Sequence, residues 1–183
     1  PYMEAACGEL WAALKARLKE SNKNLIVLLL NLLARLANAV GPPIEKHSKA
    51  LLPGMLAIVA DSKKPVREAL LDCLSVWCKQ VSPEHVLKHL PLALVVDAPA
   101  GREDATRWAA RYLEGLPSES GLDLSPLLPP VMESLQHRVA EVRAEAERCL
   151  TAIVGFNGSE GVNRALRDLK PAVAKTLQPI CTK

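Results

Sequence analysis

Few residues of this chain have the types and spacing that bond-making chemistry requires. His85 and His89 stand four apart, the interval at which one helix face presents two imidazoles to a zinc ion. A zinc protease places a glutamate directly after the first histidine, and here no glutamate follows His85. Cys73 and Cys78 are five apart, off any usual ligand pattern, so two surface histidines are the better reading. Gly155, Gly158 and Gly161 lack the preceding strand and the lysine of a phosphate loop, and no nucleophile elbow is present. Glu145 and Glu147 fall on a polar helix face, where carboxylates are solvated. What remains is recognition by charge. Ser21, Asn22 and Lys23, then Ser62, Lys63 and Lys64, then Arg102, then Arg138 stand at loops or helix starts. Lysines at a loop tip gain nothing for folding, so cations repeated along one edge suit a long, shallow contact with a protein of complementary charge. Loops are polar in any case, and charge by itself leaves both readings open.

The elements that position these residues are organised around Met55 to Lys79, which reads as two helices joined by a tight loop at Asp61 to Lys64. Asp61 and Ser62 offer caps, and Pro65 sits in a first helical turn, where an N–H has no intrahelical use. Val66, Ala69, Leu70, Cys73, Leu74 and Trp77 then follow at spacings of three and four, one apolar helical face. Arg67 lies six residues after Asp61, so its guanidinium can reach back to the carboxylate and brace the two helices. Arg143 occupies the matching place in a later pair, with His137 where the earlier pair has Asp61. Trp77 and Trp108 take inward positions; Trp11 is unassigned between core and surface.

Composition sets the bounds. With 183 residues and 49% apolar, the chain can bury a continuous core. Aromatics are 3%, and Val, Ile and Thr never gather into alternating runs, so an all-helical fold is expected. Lysine and arginine exceed aspartate and glutamate by only 23 to 20, which gives no basis for nucleic acid as a partner. Five scattered cysteines, an odd number, read as reduced core residues of an intracellular protein. Charges in Pro1 to Glu20 exclude a signal peptide there. Leu25 to Val40 is interrupted by Asn31, Arg35 and Asn38, falls short of a bilayer span and is expected as a buried helix, with no membrane partner.

The helices are expected in pairs over about 8–40, 43–80, 83–116 and 124–154, with a remainder at 159–183. A first helix over 2–19 is interrupted or begun at Gly8. A helix over Ile44 to Ala60 is expected to bend at Pro53, and later breaks are expected at Pro91, over Pro117 to Asp123 and over Gly155 to Gly161. Aligned positions in the second helices, Ile26, Arg67, Arg102 and Arg143, are separated by 41, 35 and 41 residues. A period near forty with two helices per unit is the pattern of a HEAT-repeat α-solenoid. Each pair cannot bury its apolar face alone, and stacking supplies the contacts. The loops inside the pairs then share one edge.

Several of these residues also resemble a known family. Gly8-Glu9-Leu10 with Ala13 to Leu18, then Ser21-Asn22-Lys23, Gly41-Pro42 with Ile44, and Asp61-Ser62-Lys63 with Val66-Arg67 are similar to a TOG domain of the microtubule polymerase family. The similarity continues through Arg102 and Trp108 and fades after about Leu150; within long arrays it looks most like the fourth TOG. The resemblance implies a paddle-like stack of HEAT repeats, one domain over 1–183, whose intra-repeat loops bind αβ-tubulin. Contacts carried over are Lys23, Lys63, Lys64, Arg102 and Arg138, with Ser21, Asn22 and Ser62 shaping the loops and Asp61, Arg67 and Arg143 as braces. It implies no catalysis and no cofactor, a monomeric domain joined to neighbouring TOG domains, and a cytoplasmic place on the cytoskeleton, at microtubule plus ends, spindle or centrosome. Two features depart from the family. The first-repeat loop tryptophan has no counterpart, since residues 1 to 7 hold only the tail of that repeat and Trp11 is on the following helix. His137 and Arg138 also replace a more acidic loop start.

Within the binding class the rivals are a TOG-like domain of the rescue-factor (CLASP) family and a spacer that does not bind tubulin. From another class, helical stacks of this kind occur in DNA glycosylases, which need a basic concave channel lined with aromatics. The small charge surplus and the inward aromatics argue against that.

Overall fold

The computed structural model describes residues 2–117, 121–167 and 177, and every regular element among them is helical. The chain divides into two compact units, Pro1–His89 and Leu90–Lys183.

The first unit contains α1 (Tyr2–Arg17), α2 (Lys23–Val40), α3 (Glu45–Ala57), α4 (Lys64–Trp77) and the short α5 (Pro83–Leu87). Single 3-10 turns, Pro42–Ile44 and Ile58–Ala60, flank α3. α2 packs along α4 more extensively than along any other element. The seam is set by sequence spacing: Ile26, Leu29, Leu30, Leu33 and Ala37 of α2, and Val66, Leu70, Cys73, Leu74 and Trp77 of α4, are all buried. Removing the Leu, Ile and Val side chains among them from water stabilises the fold by about 1.5–3 kcal/mol each. Trp77 is fully buried because its one polar atom is satisfied, Nε1 donating to Ser48 Oγ of α3 at 3.0 Å.

α2 differs from its expected character in two respects. It is 18 residues long with a mean hydropathy of 1.4, which by length and composition is enough to cross a membrane. Nor is it a buried helix: only 28% of it is buried, because the packing on α4 occupies one face and leaves Leu25, Leu28 and Leu32 exposed. Gly41 ends it with φ 68°, a left-handed value that favours glycine, and its N–H closes on Ala37 O at 2.9 Å.

Other boundaries also shift. α1 runs through Gly8 without a break, and Leu14 and Leu18 are buried while Leu10, one turn before Leu14, is 45% exposed. α3 carries Pro53 inside it. The break expected at Pro91 falls earlier, at Lys88 and His89, because Pro91 sits in the first turn of the next helix, where its missing N–H costs nothing.

The second unit contains α6 (Leu90–Leu94), α7 (Pro99–Glu114), α8 (Leu128–Ser134), α9 (Ala140–Asn157) and α10 (Ser159–Leu166). Its main seam, α7 against α9, repeats the α2–α4 arrangement. Ala105, Ala109 and Leu113 meet Val142, Ala146, Cys149 and Ile153 in a core closed to solvent. The expected turn over Gly155 to Gly161 contracts to Gly158: α9 continues through Gly155, and φ 72° at Gly158 starts α10 at once. The end of the expected last helix and part of the 117–123 connection lie outside the described residues, as do the side chain of Cys7 and all of Cys181.

Cys73 and Cys149 are buried and Cys78 half-buried, all three free thiols. Burial pushes each thiol up to about 12, which suits packing and not nucleophilic chemistry.

Candidate functional site

In the first unit, the loops before α2 and before α4 are built by their own side chains. Glu20 Oε1 accepts from the N–H of Ser21 at 2.9 Å and of Asn22 at 3.3 Å. The Asn22 and Ser21 N–H groups thereby hold the Glu20 carboxyl below its ordinary range. Asn22 Oδ1 accepts from Asn24 N at 3.0 Å and caps α2. In the second loop, Asp61 Oδ1 accepts from Lys63 N at 2.9 Å, a side-chain turn that fixes the backbone where the two lysines emerge.

The two loops are tied together. Lys23 Nζ donates to Asp61 Oδ2 at 2.5 Å across 38 residues of sequence. Burial alone would raise the Asp61 carboxyl, but the bonds from Lys23 and the Lys63 N–H, with both lysine charges, leave it below its ordinary 3.8. Lys23, expected as a free contact, is therefore partly spent inside the protein. Ser21, Asn22, Ser62, Lys63 and Lys64 are exposed. Lys64 reaches Glu68 at 3.5 Å on a well-exposed surface, a pair of little energetic weight. The Lys63 side chain makes no hydrogen bond or ion pair among the described residues.

Arg67 and Arg143 both reach back to the loops before them, but they bond to backbone carbonyls rather than to the expected carboxylate. Arg67 Nη1 donates to the backbone carbonyls of Asp61 at 2.9 Å and Ser62 at 3.2 Å, while the Asp61 carboxylate serves Lys23. Arg143 Nη1 does the same to His137 O at 2.8 Å and Arg138 O at 3.0 Å. Arg102 Nε donates to Val96 O at 2.9 Å. In all three cases the carbonyl lies six residues before the arginine. Because a carbonyl is present whatever the side chain, His137 in place of an aspartate does not weaken its brace. A constant six-residue interval between loop and arginine was the signal available in the sequence.

Arg102 accordingly changes place. Expected among the exposed contacts, it is 6% exposed, and Nη1 also pairs with Glu133 Oε1 at 2.9 Å. Of the two second-unit cations expected as contacts, Arg138 is the exposed one. The neighbouring His137 accepts from Val139 N through Nδ1 at 3.2 Å; burial first, then the charges of Arg102, Arg138 and Arg143, lower its pKa and keep it neutral at pH 7. Trp11 stacks on His47 with ring centroids 4.1 Å apart, which places it between α1 and α3 and away from both loops.

Among the described residues no group of three or more His, Cys, Asp or Glu stands ready for a metal ion. His85 is taken by Ser82, Oγ to Nδ1 2.9 Å. The arrangement supports two rigid loops, tied by an ion pair, that present adjacent lysines to solvent.

Solved structures match this helical arrangement closely. A domain of crescerin, from work on a TOG domain array that regulates microtubules in the primary cilium, superposes with a TM-score of 0.75 over 98% of this chain and 75% of that one, at 20% identity. The fold is that of a TOG domain. A second TOG-containing chain, from work on tubulin recruitment by microtubule polymerases with TOG arrays, gives a TM-score of 0.76 over 94% of this chain and 37% of the other, at 18% identity. The TOG fold is thereby the all-α HEAT-repeat solenoid that the forty-residue period implies. No protein-family model matches. In sequence, Protein MOR1 of Arabidopsis thaliana is 34% identical over 176 residues, which is 94% of this chain and 9% of MOR1. The chain thus spans about a tenth of the length of that relative.

Proposed function

We propose that this chain is a tubulin-binding TOG module of a larger, MOR1-like microtubule polymerase, that it carries no catalysis of its own, and that it works on the cytoskeleton beside neighbouring TOG domains. The observation that carries the reading is the loop at Asp61 to Lys64, where a side-chain turn and an ion pair to Lys23 fix the backbone from which two exposed lysines emerge on a TOG fold. A loop backbone that is already fixed loses little freedom on binding, and the acidic surface of tubulin is the complement of its lysines. Ser21, Asn22, Lys23, Ser62, Lys63, Lys64 and Arg138 form the proposed contact set; Arg102 joins Arg67 and Arg143 as a brace. Residues 1–183 are taken as one domain. Its place as the fourth TOG of an array rests on the Ser-Asn-Lys, Gly-Pro and Asp-Ser-Lys spacing alone.

Size-exclusion chromatography with unpolymerised αβ-tubulin tests this. Co-elution is expected at low salt for the natural sequence and is expected to vanish for Lys63→Glu with Lys64→Glu, whose circular dichroism stays unchanged. Undiminished binding by that double variant would remove the loop from the contact, and separate elution of the natural sequence would favour a spacer role.

A further inference from the structure

A groove runs between α1 and α3 in the first unit, apart from the α2–α4 seam. The two helices are parallel and keep one register: Trp11 stacks on His47 and Leu18 meets Gly54, partners 36 residues apart in both cases. The approach is close at Gly54, where a Cβ would stand 2.9 Å from Leu18 Cδ1. Otherwise α1 meets α3 far less extensively than α2 meets α4. The space left open is about 490 Å³, mostly apolar, with Leu18, Pro53, Gly54 and Ile58 in its lining. Lys15 and Lys19 stand one turn apart along one rim, and Lys49 stands on the other. All three lysines are exposed, and none makes a hydrogen bond or ion pair among the described residues. The carboxylates beside them are engaged elsewhere, Glu20 with Arg17 at 3.2 Å and Glu45 with the Ser82 N–H at 2.6 Å.

An apolar channel with unneutralised cations along both rims is the complement of a chain that mixes carboxylates with large apolar side chains. A lipid headgroup fits less well, because it needs its cations gathered at one point and its acyl chain enclosed, whereas these lysines are spread along a groove open to solvent. We propose that the α1–α3 groove binds an acidic amphipathic segment of another protein, its apolar residues seated over Pro53 and Gly54 and its carboxylates on Lys15, Lys19 and Lys49. Segments of that composition are disordered when free and become ordered on a preformed groove, which keeps the affinity modest. The groove uses no residue of the proposed tubulin contact set, so the two partners occupy separate surfaces.

Fluorescence anisotropy with a short fluorescein-labelled peptide, glutamates around two leucines at helical spacing, tests the groove. Binding by the natural sequence at low salt is expected. It should weaken about tenfold or more in Lys15→Glu with Lys49→Glu, and likewise in Ala50→Trp, whose indole fills the groove from its exposed α3 position. Lys63→Glu with Lys64→Glu should leave it unchanged, and urea unfolding confirms that each variant is folded. Absence of binding overturns the proposal, as does equal binding of a peptide with serines for the leucines, which reduces the groove to unspecific charge attraction. Loss of binding in the Lys63 and Lys64 variant overturns it by moving the segment to the loops. Capture of phosphatidylserine vesicles in place of the peptide overturns it in favour of a lipid surface. Tubulin takes no part in this measurement, so failure of the tubulin reading leaves its result untouched.

Discussion

A guanidinium that bonds to a carbonyl six residues back is indifferent to the side chain at that carbonyl. This explains how Asp61, Val96 and His137 can all stand opposite a bracing arginine. Removing Arg143 leaves two loop carbonyls short of a charged donor, and Arg143→Ala is expected to cost about 1.5–3 kcal/mol in urea unfolding. Lysine at that position restores only part of the loss, since one ammonium replaces a planar fork. Asp61 gives a separate, pH-dependent signature. Its folded pKa is depressed, so the stability it contributes is fully present above its unfolded value of 3.8 and is lost as pH falls through the lower folded value. Asp61→Asn should therefore flatten the acid limb of the stability curve below about pH 4 while leaving the neutral plateau lowered. An acid limb identical to that of the natural sequence would show that the Lys23 pair does not form in solution.

At the scale of elements, the stack is held by long helix seams and ended by glycines. Leu30 is fully buried on the α2–α4 seam, and Leu30→Ala is expected to cost about 2–5 kcal/mol by thermal or urea unfolding, the spread reflecting how far the two helices can close the cavity. Gly41 and Gly158 end α2 and α9 at φ 68° and 72°, which is why each helix turns within one residue. Helix interiors were legible from spacings of three and four. Helix ends were not, where prolines were concerned: Pro53 and Pro91 look alike in sequence, but one lies within α3 and the other in the first turn of α6. Only the partner helix decides whether an interior proline is tolerated, because tertiary packing outweighs one missing hydrogen bond.

For the molecule as a whole, the proposed recognition of tubulin through exposed lysines has an ionic signature. Tubulin affinity is expected to fall when salt rises from about 50 to 200 mM, since the Debye length shortens to below 10 Å over that range. Isothermal titration across the series checks it, and a flat response would point to an apolar contact. The fold class and the repeat follow from the sequence by itself, because apolar periodicity and a forty-residue step between helix pairs are local properties of the chain. The candidate loops were also visible, as polar residues with caps between periodic segments. Their internal chemistry was not. That Lys23 crosses 38 residues to Asp61, that Arg102 is buried against Val96 and Glu133, and that one face of α2 stays open are consequences of which helices lie side by side. A side chain's charge is written in the sequence, but whether that charge is offered to a partner or consumed within the protein depends on distances only the tertiary structure sets.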